Sequence, residues 1–202
     1  MKKIIAMLLV LTLAMGLVAC GNNAENTEST PETTTEATTE ASTDVVITTD
    51  ETAVTVLSTI WDYMEEDKKF FAMGGDMNNV VDNAPGAYSL EDEGLTATLL
   101  IPQDQIANVS EAASLVHAMM LNNFTCGAFK VSGDVTAFVE AMYTAVSTNR
   151  WMCGQPEKMA IAVIGEYVIV VFGLNDAVEP FLTAMTTVYP QAELDYNEAI
   201  TG

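Results

Sequence analysis

The chain has 202 residues and carries 28 Asp and Glu against seven Lys and Arg, a net charge of −21. That balance argues against a nucleic-acid interface, which needs cations to neutralise phosphates, and equally against a surface that adheres by itself to anionic lipid. One histidine in the whole chain excludes zinc hydrolases of the HExxH kind and His-rich zinc sites.

Lys2 and Lys3 precede an apolar run from Ile4 to Leu13, the pattern of a secretory signal. The run is too short for a membrane span of roughly 20 apolar residues. It leads into Leu17-Val18-Ala19-Cys20, where a small residue stands directly before a cysteine. Lipoprotein maturation requires that arrangement: a diacylglycerol is placed on the thiol, and the chain is cut between Ala19 and Cys20. Residues 1–19 are therefore read as a lipoprotein signal peptide and Cys20 as the lipid attachment site. Two acyl chains suffice for stable anchoring, which places the protein on the extracytoplasmic face of the cell membrane.

Residues 20–50 are read as the lipidated cysteine and a disordered, acidic, Thr-rich tether. From Gly21 to Asp50 there are seven acidic residues and no basic one, too little apolar surface to offset ordering entropy. Thirty residues of this kind reach about 30 Å as a coil and on the order of 100 Å when stretched. A short edge strand at Val45-Val46-Ile47 is the one structured alternative.

Residues 51–202 are read as one domain, long enough to bury about 70% of its unfolded surface without a disulfide or metal. It retains 21 acidic residues against Lys68, Lys69, Lys130, Arg150 and Lys158, a net of −16. Val54, Leu57, Trp61 and Met64 predict a helix over about 52–72, ended by Gly74-Gly75. Residues 76–94, rich in Asn, Asp, Gly and Pro, read as loop. Leu95–Ile101 reads as a strand stopped by Pro102. Ile106, Val109, Ala113, Val116 and Met120 predict a following helix, with Asn108-x-x-Glu111 as a capping box. Phe124–Val131 is a second strand, and Ser132-Gly133-Asp134 turns into a helix that buries Val135, Phe138, Val139, Met142 and Val146. Lys158–Ile164 and Tyr167–Phe172 form a hairpin across Gly165-Glu166, whose leading glycine favours a type II′ turn. A last helix starts near Asp176, with Glu179 three residues on and Pro180 in its first turn. It buries Val178, Phe181, Met185 and Val188, and Pro190 ends it. This order implies an α+β fold, with a mostly antiparallel sheet of about four strands and helices packed mainly on one face.

No phosphate-cradling loop, nucleophile elbow or calcium-binding loop is present. His117 lies within the proposed helical stripe and reads as a partly buried residue bonded to a neighbour. Nine methionines remain after the signal peptide, and most occupy helical core positions, where Met fills gaps. His117, Met119, Met120, Cys126, Met152 and Cys153 nonetheless fall near one another in the expected fold, and soft sulfur ligands select Cu(I). Cys126 and Cys153 are the only thiols beyond Cys20. Arg150-Trp151-Met152-Cys153-Gly154-Gln155-Pro156 holds the only arginine and one of two tryptophans, at a Gly- and Pro-punctuated exit from a helix. The simplest account is a helix end packed by Trp151, with Arg150 paired to a carboxylate. Arg150, Trp151, Met152 and Cys153 are also the candidate contact residues for a ligand or partner.

With these features the whole chain resembles the small uncharacterised surface lipoproteins of Gram-positive anaerobes. The resemblance rests on the lipobox, the acidic tether and the order Trp151-Met152-Cys153-Gly154 then Gly165-Glu166-Tyr167-Val168-Ile169-Val170. Some relatives of that kind are labelled bacteriocin transport accessory protein, a label that implies a thioredoxin-like fold. The expectation is a non-catalytic binding or accessory module at the envelope. It is held to the membrane by its lipid, contacts an envelope protein or small ligand, and has no cofactor, metal, catalytic residue or nucleic-acid partner. The alternative is a thiol-redox or copper-handling protein using Cys126, Cys153 and nearby methionines. Cys20→Ala should abolish incorporation of radiolabelled palmitate and release the protein from membranes. Continued membrane retention of that variant would contradict lipidation at this residue.

Overall fold

The computed structural model describes residues 51–201. The expected signal peptide, the expected lipid attachment site Cys20, the expected tether and the short strand expected at 45–47 lie outside the described residues. Thr52 opens the first helix, its hydroxyl accepting the Thr55 N–H at 3.2 Å. Helix α1 (Ala53–Tyr63) buries Ala53, Val56, Leu57, Ile60 and Trp61. It ends before the expected limit of 72, because Glu65, Glu66 and Asp67 would load three negative charges onto its negative C-terminal pole. Gly74, expected to stop that helix, instead closes strand β1 (Ala72–Gly74). The segment expected as loop contributes β2 (Val81–Asp82) and β3 (Gly86–Tyr88).

Two further expectations are corrected. Leu95–Ile101 is not a strand. Residues Gly94–Ala97 form a single helical turn, α2, with the Gly94 N–H held by Asp92 Oδ1 at 2.7 Å, and Leu95, Leu99 and Ile101 all reach the core. The helix expected from Ile106 to Met120 is strand β4 (Val109–His117), preceded by one turn of 3₁₀ helix over Ile106–Asn108. Ala112, Ala113, Ser114, Leu115 and Val116 are all buried. A strand covered on both faces loses its two-residue period, and a short apolar run without that period also satisfies a helical template. Glu111 forms no capping box. Its Oε2 accepts the Ala53 N–H at 3.2 Å, capping α1 from a different element, while its Oε1 lies 3.5 Å from Lys130 Nζ.

The second half follows the sequence closely. Strand β5 (Phe124–Val131) is followed by α3 (Val135–Ser147), with Asp134 as its N-cap. Strands β6 (Lys158–Ile164) and β7 (Tyr167–Gly173) form the expected hairpin. Gly165 has φ +60° and Glu166 is not among the residues of positive φ, as a type II′ turn requires. Helix α4 (Asn175–Val188) has Leu174 at its N-cap, so Asp176 and Glu179 form no capping box. Glu157 Oε2 instead accepts the Asn175 N–H at 3.0 Å, and Glu179 pairs with Lys158 at 2.5 Å. A final strand, β8 (Glu193–Ala199), was not expected; only Tyr196 among its side chains is even half-buried, so it lacks an apolar pattern.

Over the described residues the fold is α+β with four helices, and its sheet has eight strands, not about four. The order is β2-β1-β4-β5-β7-β6-β8, with β3 also on β4. Every ladder is antiparallel, so no β-α-β unit of adjacent parallel strands, as in thioredoxin-like proteins, is present among the described residues. β1 and β3 share β4 end to end, the former on Val116 and His117 and the latter on Ala112–Ser114. Where one hands over to the other, a Cβ on Gly74 would lie 2.2 Å from the Gly86 amide nitrogen; only glycine permits that approach.

The helices pack on both faces instead of mainly on one, and the connections explain why. α3 joins β5 to β6 around β7, and α4 joins β7 to β8 around β6. Both steps go the same way across the sheet, but β5 and β7 are antiparallel. Crossovers of one hand then place their helices on opposite faces. α1 and α4 share one core with Ala113, Phe124, Cys126, Ala128, Ala160 and Ala162. α3 and the α2 turn share the other with Phe129, Ile161, Val168, Val170 and Phe172. On the first face a line of rings runs from Trp61 to Phe70 (5.2 Å), Phe124 (4.7 Å from Phe70) and Phe181 (5.4 Å from Phe124). It joins α1, β5 and α4 through one residue, Phe124. Phe124→Ala should therefore cost about 3–5 kcal/mol of stability, read from urea unfolding; a loss below about 1 kcal/mol would show that the rings do not tie these elements together.

Candidate functional site

Two loops meet at one end of the sheet. The first joins β4 to β5. His117, at the end of β4, stacks on Phe70 at 5.5 Å. Its Nδ1 accepts the backbone N–H groups of Met119 and Met120 at 3.2 and 3.3 Å. The histidine is thus half-buried and bonded to neighbours as expected, but it ends a strand and shapes a turn. That turn directs Met119, Met120 and Leu121 outward, and all three are exposed.

The second loop leaves α3. Trp151 folds back onto Phe172, ring centroids 5.1 Å apart, and its buried indole N–H has no hydrogen-bond partner. Arg150 is exposed, and no carboxylate pairs with it among the described residues, so the expected ion pair does not form. Met152 is 80% exposed. Cys153 and Gly154 follow with φ of +65° and +116°. A left-handed cysteine followed by glycine reverses the chain sharply.

Asn122 joins the loops. Its Nδ2 donates to the carbonyl oxygens of Met152, at 2.8 Å, and Gly154, at 2.5 Å. A Cβ built on Gly154 would meet Met120 Sδ at 3.9 Å. Between the loops is a concavity of ≈ 300 Å³ lined by Met119, Met120, Leu121, Asn122, Met152 and Cys153. Of the four candidate contact residues, Met152 and Cys153 line it, whereas Trp151 packs on Phe172 and Arg150 is not part of the lining.

The two thiols are both free. Cys126 is sealed beneath α1 and α4, where burial pushes its thiol well above the ordinary range. Cys153 is exposed, so the pair shares no accessible site. A hollow of ≈ 340 Å³ between the end of α1 and α4 is lined by Tyr63, Met64, Glu65, Lys68, Glu179 and Pro180 among others, and Glu179 is engaged by Lys158. Asp76 is buried, but its oxygens accept the Asn78 and Ser89 N–H groups at 2.8 and 3.0 Å, a loop clamp. Among the described residues no three His, Cys, Asp or Glu side chains converge to hold a metal.

Comparison with protein-family models, curated proteins and solved structures found no match. The site is therefore read from its own chemistry. Sequence reading singled out Met119, Met120, Met152 and Cys153 but missed Leu121 and the bridging Asn122. The available signal was the run Met119-Met120-Leu121-Asn122-Asn123, three large apolar residues against two amides just before a strand. Alkylation of the protein should label Cys153 in the folded state and Cys126 only after denaturation. Equal labelling of both in the native protein would contradict the burial of Cys126.

Proposed function

We propose that this chain is a membrane-anchored extracytoplasmic lipoprotein acting as a non-catalytic binding or accessory module at the cell envelope. Its contact surface is the loop pair at 119–122 and 150–154. The observation that carries this reading is the exposure of Met119, Met120, Leu121 and Met152 around one concavity. Exposed apolar side chains gathered at one place are a mark of interaction surfaces, whereas scattered ones need no explanation. These residues stand on backbone fixed by Asn122 and His117, so little ordering is left to oppose binding.

The tether expected between Cys20 and Asp50 fits the same role, since about 30 Å of coil lets the domain sample partners close to the bilayer. The acidic surface keeps the domain off anionic lipid and favours cationic or neutral ligands. A thiol exchange between Cys126 and Cys153 draws no support, because the first thiol is inaccessible. A photocrosslinking amino acid at Met152 or Leu121 should capture an envelope component in cells that is absent when the same group stands at Thr187, an exposed position on α4. The same products from all three positions would refute the assignment of this surface.

A further inference from the structure

We propose that Met119, Met120, Met152 and Cys153 form a Cu(I)-binding site. This rests on the binding-module reading and names the ligand of the same concavity. The methionines divide between core and surface. Met64, Met142, Met159 and Met185 are buried and serve as ordinary core filler. Met77 is exposed in the β1–β2 connection, whereas Met119 and Met152, 77% and 80% exposed, join Met120 in bringing three thioethers to the concavity that also holds the one surface thiol among the described residues. Leucine or isoleucine would serve an apolar surface equally well; sulfur at each of three positions adds a ligand.

The sulfur atoms at the concavity are soft donors. Thioethers and thiolates select Cu(I) over harder cations. Zinc at a structural site wants four Cys or His ligands, and no three His, Cys, Asp or Glu side chains converge anywhere among the described residues. One thiolate against one monovalent cation also gives a neutral centre. Binding replaces the Cys153 S–H bond with an S–Cu bond and releases the proton to solvent; the copper stays Cu(I) throughout, so no oxidant or reductant takes part.

The backbone that carries these side chains is preorganised. The four sulfurs come from two segments about thirty residues apart, and the Asn122 amide holds those segments together. His117 Nδ1 is committed to the turn and acts as a positioning group. Cys126, in the core, has no part in the site.

The test is an anaerobic Cu(I) titration of the detergent-solubilised lipoprotein against a chromophoric Cu(I) chelator, with Zn(II) as the hard-metal control. The expected result is one Cu(I) per chain, no Zn(II), and a thiolate-to-copper absorption band. Met152→Leu and Cys153→Ser should each weaken binding by about ten-fold or more, and Cys153→Ser should remove the band. Met159→Leu and Cys126→Ser should leave affinity unchanged. Both test substitutions fall on exposed residues, and matching circular dichroism will show that they fold. Failure to compete with the chelator, or undiminished binding in both variants, would overturn the proposal. If copper is not bound but the Met152 crosslink persists, the binding surface stands and its ligand is not copper. Copper binding without any crosslink would leave the metal site standing and remove the protein partner.

Discussion

The sheet is buried on both faces, and the rest of the structure depends on that constraint. Strands β4, β5, β7 and β6 must be apolar on each side, yet two helices must still approach closely on one of them. The side chains divide accordingly. Ala113, Ala128, Ala160 and Ala162 face α1 and α4, and their small size makes room for two helices side by side. Phe129, Ile161, Val170 and Phe172 face α3 and the α2 turn, where one long helix leaves more space for the sheet to fill.

Double coverage also fixes where function can lie. The faces of the sheet are consumed by packing, so reactive or sticky side chains can reach solvent only from its edges and ends. The β8 edge is unsuited to apolar contact. β8 exposes Glu193, Asp195 and Glu198, and acidic groups along a free edge discourage pairing with another chain. At the end of the sheet, by contrast, the β4–β5 turn and the α3–β6 loop are brought together because β5 and β6 run in parallel directions on either side of β7. The connection between them must pass over the same end where β5 begins. Asn122 then needs only one side-chain amide to hold the two loops together.

Several capping interactions show the same dependence on distant partners. Glu111 was read as the N3 residue of its own helix, but it caps α1 across 58 residues of sequence. Glu157 caps α4 from the loop before β6. Glu179, read as part of a capping box, pairs with Lys158 on the neighbouring strand. Local spacing cannot tell these cases apart, since a carboxylate serves any nearby N–H or ammonium group equally well.

What the sequence determined by itself was every element whose pattern is set locally: β5, α3, the Gly165-Glu166 hairpin and α4. Asp134 caps its own helix, Gly165 alone tolerates the φ that its turn needs, and the apolar stripes of α3 and α4 face one core each. The position of Met152 and Cys153 at a Gly-punctuated exit from a helix was likewise legible. Only the tertiary structure decided β4, the short strands β1 to β3, β8 and the placement of helices on both faces. β4 is a strand because its neighbours complete its hydrogen bonds while helices bury both its sides, and neither fact is written in its own residues. The pairing of residues 119–122 with 150–154 belongs to the same class, since a contact between segments thirty residues apart is set by strand order.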